Sequence, residues 1–128
     1  MDTTWLTELK NLNELVENVS EQLKDFMTSN RVLLCIDHKP SDLYVCLRKS
    51  YRLIDELGYS SLDMCQFSIN SYYRHMGAAT KIIKELHKQN SNRMTYLTHV
   101  QDGSLQRILT KFGWQRDKET SFYNFTIN

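Results

Sequence analysis

The chain has 128 residues, an apolar fraction of 41% and a formal net charge of +1, which bounds it to a single domain, residues 1–128, around one core. No unbroken apolar run approaches a membrane span, and no basic start followed by an apolar block marks a secretory signal. Cys35, Cys46 and Cys65 are odd in number and lack paired spacing, so a disulfide framework is not expected, a reducing, cytoplasmic setting is, and no Cys or His spacing suggests a metal site.

The first region, 1–30, reads as helical. Asp2, Thr3 and Thr4 are candidate caps. Trp5, Leu9, Leu12, Val16, Val19, Leu23 and Phe26 then recur at alternating spacings of four and three, with Leu6, Leu15 and Met27 widening the stripe. Such a stripe packs on a sheet of its own domain or forms the seam of a homodimer; the widened face favours the first. Asn11, Asn13, Asn18 and Ser20 are weak helix formers, and a break near Ser20 into two helices is the alternative to one long helix.

Residues 31–70 read as strands. A hairpin from Val32 to Arg48 is expected, turning at His38–Asp42 around the only proline, Pro40. Its rival is a helix from Ser41 to Leu57, because Leu43, Leu47, Tyr51, Leu53 and Ile54 also fit helical spacing. Asp55–Ser61 reads as a polar connection. Leu62–Asn70 alternates as a central strand, with Leu62, Met64 and Gln66 on one face and Cys65, Phe67 and Ile69 on the other. Arg48, Lys49 and Arg52 with Tyr44 and Tyr51 read as a solvated face. No base-reading motif accompanies them, so nucleic acid is not an expected partner.

Residues 1–70 carry 7 Lys/Arg against 11 Asp/Glu, whereas residues 71–128 carry 9 against 4, a net of −4 followed by +5. The basic half opens with Arg74-His75-Met76-Gly77-Ala78-Ala79-Thr80 between the strand and a helix with Ala79, Ile82, Ile83 and Leu86 inward and Lys81, Lys84 and Lys88 outward. A strand, a Gly turn and a helix N-terminus make an anion site: the first backbone N–H groups lack internal partners, and Gly77 lets a phosphate approach. The plainer reading is a turn with a solvated Arg74. A strand over Met94–Val100 follows, then a cap at Asp102 and a short helix with Leu105, Ile108, Leu109 and Phe112 inward. Gly113 stops that helix; Trp114 opens an extended segment, Asp117–Thr120 turns, and Ser121–Ile127 alternates as a final strand.

From Leu62 onward this order resembles the GNAT superfamily of acyl-coenzyme A-dependent N-acyltransferases. Three features carry the resemblance: Arg74-x-x-Gly77-x-Ala79, similar to the family's pyrophosphate loop; Arg107–Trp114, similar to its segment ending in Lys-x-Gly-Phe; and the aromatic strand Phe122-Tyr123-Asn124-Phe125. The resemblance implies an α/β (α+β) fold with a mixed, mostly antiparallel sheet flanked by helices, residues 71–128 forming the coenzyme A-binding half. It implies acetyl-CoA as co-substrate, no metal, and an amine-bearing acceptor, small molecule or protein. Phe67, Ser68 and Ile69 would pair with the pantetheine arm, and the N–H groups of His75, Met76, Gly77, Ala78, Ala79 and Thr80 would hold the pyrophosphate with Arg74 beside it. A splay between strands 62–70 and 94–100 would admit the thioester. No catalytic residue is assigned by it. The family's leaving-group Tyr aligns with Leu109, its Asn with Asp102, and its strand Glu with the region of Asp63, Cys65 and Gln66; its first strand has no counterpart ahead of Trp5. His99 would serve as base with little retuning, though a strand His is more often structural. The alternative is a catalytically silent GNAT-like module acting through protein contacts, with the N-terminal stripe as its partner surface.

Overall fold

The computed structural model describes residues 4–38, 42–70, 73 and 77–126; the expectations for residues 2–3, 39–41, 71–72, 74–76 and 127 lie outside these. The described elements run α1 (Thr4–Thr28), β1 (Leu33–His38), β2 (Leu43–Ile54), β3 (Leu57–Ile69), α2 (Ala78–Gln89), β4 (Met94–Leu97), α3 (Gly103–Lys111), β5 (Gln115–Lys118) and β6 (Ser121–Phe125). The sheet order is β1-β2-β3-β4-β6-β5. Every neighbouring pair is antiparallel except β3 and β4, and α2 is the crossover that a parallel pair needs. This is the expected α+β fold with a mixed, mostly antiparallel sheet.

α1 is one continuous helix of 25 residues, without a break at Ser20. Leu12, Leu15, Val19, Leu23 and Phe26 are fully buried, with Val16 and Met27 packed against them. Burying a large apolar side chain is worth about 1.5–3 kcal/mol, which outweighs the tenths lost at each Asn or Ser. The polar residues are also used: Asn18 donates to His38 Nδ1 at 2.9 Å, and Gln89 donates to Ser20 Oγ at 3.2 Å, tying α1 to α2. From Leu12 to Phe26 the stripe therefore lies in the core of its own chain, while Leu6 at its start is exposed. Lys49 finishes the helix. Its Nζ donates to the carbonyls of Phe26 and Ser29, both at 2.7 Å, satisfying acceptors at the negative end of the helix.

The β1–β2 hairpin has the expected placement, from Leu33↔Arg48 to His38↔Leu43. The rival helix over 41–57 is overturned: β2 continues as a strand to Ile54, because Leu43, Val45 and Leu47 alternate into the core. The connection is also shorter than expected. Asp55 and Glu56, at φ 51° and 71°, alone join β2 to β3. Two successive positive φ values are the type I′ pattern that suits a twisted hairpin.

β3 does not keep its faces. Cys46 pairs with Gln66 but Leu47 pairs with Met64, so Cys65 is an extra residue, a β-bulge. The slip brings Phe67 and Ile69 onto the core face that Leu62 and Met64 occupy before it, correcting the two-face reading. A smaller correction concerns α2, where Ala78, not Ala79, is buried beside Ile82, Ile83 and Leu86. The main apolar cluster joins α1, α2 and Leu109 to one side of the sheet. A second cluster, Ile54, Met94, Tyr96 and Tyr123 with Tyr59 and Phe125, contains no helical residue.

Candidate functional site

The two ends of β3 have different neighbours. Residues Ser61 to Met64 pair with Met94 to Leu97 of β4. The pairing stops there, and β4 ends at Leu97, short of the expected Val100. Thr98 makes the last contact, donating its N–H and its hydroxyl to Met64 O at 3.3 and 3.1 Å. His99 then takes φ 58°, and Val100 donates to Thr120 O at 2.9 Å, carrying the chain toward the β5–β6 turn. β3 and β4 therefore diverge at the Cys65 bulge.

The divergence leaves one side of β3 open. Asn70 N–H donates to Asp42 O at 2.9 Å, which fixes the phase of the β2–β3 ladder. Antiparallel pairs alternate between bonded and non-bonded, so Tyr44↔Ser68 is a bonded pair while Val45↔Phe67 and Leu43↔Ile69 are not. The main-chain groups of Phe67 and Ile69 face away from β2, into the space that β4 has left. Of the three residues expected there, Ser68 is the one whose main chain is turned to β2.

α2 is the next helix after β3. Gly77 caps it in the left-handed conformation, φ 71° and ψ 26°, without a side-chain cap; a Cβ there would meet nothing within 4 Å. The Gly77 carbonyl accepts from Lys81 N–H at 3.1 Å, so the N–H groups of Ala78, Ala79 and Thr80 lie in the turn where a helix has no internal acceptors. Arg74, His75 and Met76 lie outside the described residues. From Thr80 a groove of about 170 Å³ runs between α2 and α3, lined by Ile83, Lys84, His87, Lys88, Leu105, Ile108, Leu109, Phe112 and Trp114. Its floor is apolar, and Lys84 lies 4.9 Å above the Phe112 ring. A 2.7 Å hydrogen bond joins His87 Nδ1 and Thr95 Oγ1, and burial pushes the His87 pKa below the ordinary 6.5, favouring the neutral imidazole.

The remaining expected residues have structural employment. Asp102 caps α3, its Oδ1 accepting from Ser104 and Leu105 N–H at 2.8 and 3.3 Å. Leu109 is buried under the groove. Gly113, at φ 89°, ends α3: its N–H bonds Thr110 O and the Trp114 N–H bonds Leu109 O, the Schellman pattern. His99 is exposed two residues beyond β4. Asp63 is buried and held by Arg52 at 2.9 Å and by Ser61 Oγ at 2.7 Å, so Arg52, like Lys49, is an internal fastener, while Arg48, Tyr44 and Tyr51 of the expected solvated face are exposed. Arg52 also lies 3.7 Å from the Tyr96 ring centroid. Burial and the bond to Asp117 raise the Tyr96 phenol above its ordinary range. The role of Thr98 at the divergence, and the bulge beside it, carry no sequence signal. Among the described residues no group of three or more His, Cys, Asp or Glu is placed to hold a metal ion, and no helix is long and apolar enough to cross a membrane.

Neither a protein-family model nor a curated protein matches the sequence. The fold is an α+β fold shared with solved structures. Among solved structures it is similar to a tyrosine-to-phenylalanine mutant of the AtaT toxin bound to the C-terminus of the antitoxin AtaR, with a TM-score of 0.53 at 10% identity. It is likewise similar to that complex with acetyl-CoA, with a TM-score of 0.52 at 10% identity. Each likeness covers 66% of this chain and 58% of the other, so the chain matches well under two thirds of those proteins' length.

Proposed function

We propose that the protein is an acetyl-CoA-dependent N-acetyltransferase acting on an amine of a small-molecule or protein acceptor by direct attack. What supports this reading is that β3 loses its pairing with β4 after Met64, so that the main-chain groups of Phe67 and Ile69 face away from β2, and that the next helix, α2, opens on Gly77 without a side-chain cap. The main-chain groups of Phe67 and Ile69 would bond the amide groups of a pantetheine arm as an added strand would. The N–H groups of Gly77, Ala78, Ala79 and Thr80 would receive the pyrophosphate. Lys84 and Lys88 would attract the nucleotide's remaining charge along the groove. Bound acetyl-CoA would supply an activated thioester; an N–H on β3 would polarise its carbonyl, and His99 is the side chain we assign to accept the amine proton.

A second reading has its own support. Leu109 gives no acid for a leaving thiolate, and the Asp102 carboxylate is committed to capping α3. A GNAT-like module that binds without turnover would tolerate both, and a protein partner would suit it, as the neighbouring toxins bind an antitoxin. Calorimetric titration with acetyl-CoA decides the shared part: we expect a dissociation constant in the micromolar range, about −8 kcal/mol. No heat at millimolar ligand would sink the enzyme reading. Binding without thiol release across an amine panel would favour the silent module.

A further inference from the structure

Cys35 and Cys46 are directly opposite on β1 and β2, on the exposed side of the hairpin. The phase of that ladder is set by Lys49 N–H, which donates to Val32 O at 2.9 Å. Residues 32/49 are therefore a bonded pair, as are 34/47 and 36/45, and Cys35↔Cys46 is a non-bonded one. Non-bonded pairs hold their Cα atoms closest, at about 4.5 Å, inside the range that a disulfide spans. The two sulfurs are 2.7 Å apart, and Cys46 Sγ donates to the Tyr44 hydroxyl oxygen at 3.2 Å. Both cysteines are free thiols, Cys35 exposed and Cys46 buried. Cys65, the third, sits on the bulge of β3, on the far side of β2.

We infer that Cys35 and Cys46 form a reversible dithiol–disulfide site, oxidised by a low-molecular-weight disulfide of the glutathione type. The order of events follows from access. The Cys35 thiolate attacks the small disulfide, forming a mixed disulfide and expelling one thiolate, which takes up the proton Cys35 gave. Cys46 then attacks the Cys35 sulfur, the cross-strand bond forms, and the second small thiol leaves with the Cys46 proton. One small disulfide is reduced to two thiols, and two protein thiols become one disulfide. Burial and the neighbouring sulfur raise the Cys46 thiol, while its hydrogen bond with Tyr44 acts in the opposite direction. The product staples the edge strand β1 to β2. The site is independent of any acetyltransferase activity.

The test is to incubate the full chain with oxidised glutathione, alkylate the remaining thiols and map them by mass spectrometry. The three alkylatable cysteines should fall to one, Cys65, with the loss of two hydrogens from the protein and no retained glutathione. Cys46→Ser should instead trap one glutathione on Cys35, and dithiothreitol should restore all three thiols to the unsubstituted chain. Three thiols still alkylatable after oxidation, a disulfide that includes Cys65, a disulfide between two chains, or a Cys46→Ser adduct on Cys65 would each overturn the assignment.

Discussion

The two halves of β3 share one strand and differ in what their backbones do. From Ser61 to Met64 the strand is paired on both sides, and its side chains are locked by the core and by the Arg52–Asp63 pair. From Gln66 to Ile69 it is paired with β2 alone. The first half is committed to holding the sheet together. The second has, among the described residues, no strand paired on its other side, toward which the main-chain groups of Phe67 and Ile69 face, and an extended ligand requires such a side. One bulged residue, Cys65, separates them.

The comparison can be broken most severely on the closed half. Arg52→Ala leaves the Asp63 carboxylate buried without its cation, and a loss of about 4 kcal/mol in denaturant unfolding is expected. Replacing both members, Arg52→Met with Asp63→Leu, should recover most of that loss. On the open half, proline discriminates the two sides of the strand. Ser68→Pro removes a bond to β2 and should cost about 3 kcal/mol. Phe67→Pro removes a donor that faces the opening; its unfolding midpoint should move less, while acetyl-CoA affinity falls about tenfold, the worth of one hydrogen bond. Equal effects of the two prolines on stability would refute the phase deduced for the ladder.

Gly77 gives a third, smaller contrast. Gly77→Ala adds a Cβ in open space but at φ 71°, so about 1 kcal/mol of stability should be lost with binding retained. Gly77→Glu carries the same strain plus a charge at the phosphate position and should abolish coenzyme A binding while the chain stays folded. The smallest effect concerns pH. The His87 pKa is lowered in the folded state by burial, so the unfolded chain binds the proton more readily. The stabilising contribution is complete above the unfolded value of 6.5 and is lost as pH falls through the lowered folded value. The thermal midpoint should drop between about pH 8 and about pH 5, and His87→Gln should flatten that dependence.

What the sequence makes legible is local. The α1 stripe, the hairpin, the inward Ile82, Ile83 and Leu86 of α2 and the stop at Gly113 follow from spacing and from one residue's backbone freedom. The Asp102 cap and the special conformation of Gly77 are legible for the same reason. The extent of β2 is not, because its turn uses Asp55 and Glu56 in place of the usual Asn or Gly. The faces of β3 are not, because a bulge shifts alternation by one and leaves no composition signal. The end of β4 is not, because Thr98 and His99 fit a strand and are drawn off it by contacts from Met64 and Thr120. The opening at the candidate site depends on those last two features, so the sequence locates its glycine turn and its strand but not the geometry that joins them. The cysteine pair is hidden similarly: a separation of eleven residues means nothing until the hairpin register makes them opposite.

The parallel pairing of β3 with β4 has a mechanical consequence. It is a four-residue seam, Ser61–Met64 against Met94–Leu97, between two antiparallel blocks that each carry their own ladders. α1 packed along α2 and the side-chain bond from Asn92 Nδ2 to Ser61 O bridge the same boundary. A fluctuation that parts this seam exposes few amides, leaves both blocks intact and widens the opening that already exists beyond Met64. In native-state hydrogen exchange the amides bonded across the seam should therefore share one opening free energy, below that of the β2–β3 ladder.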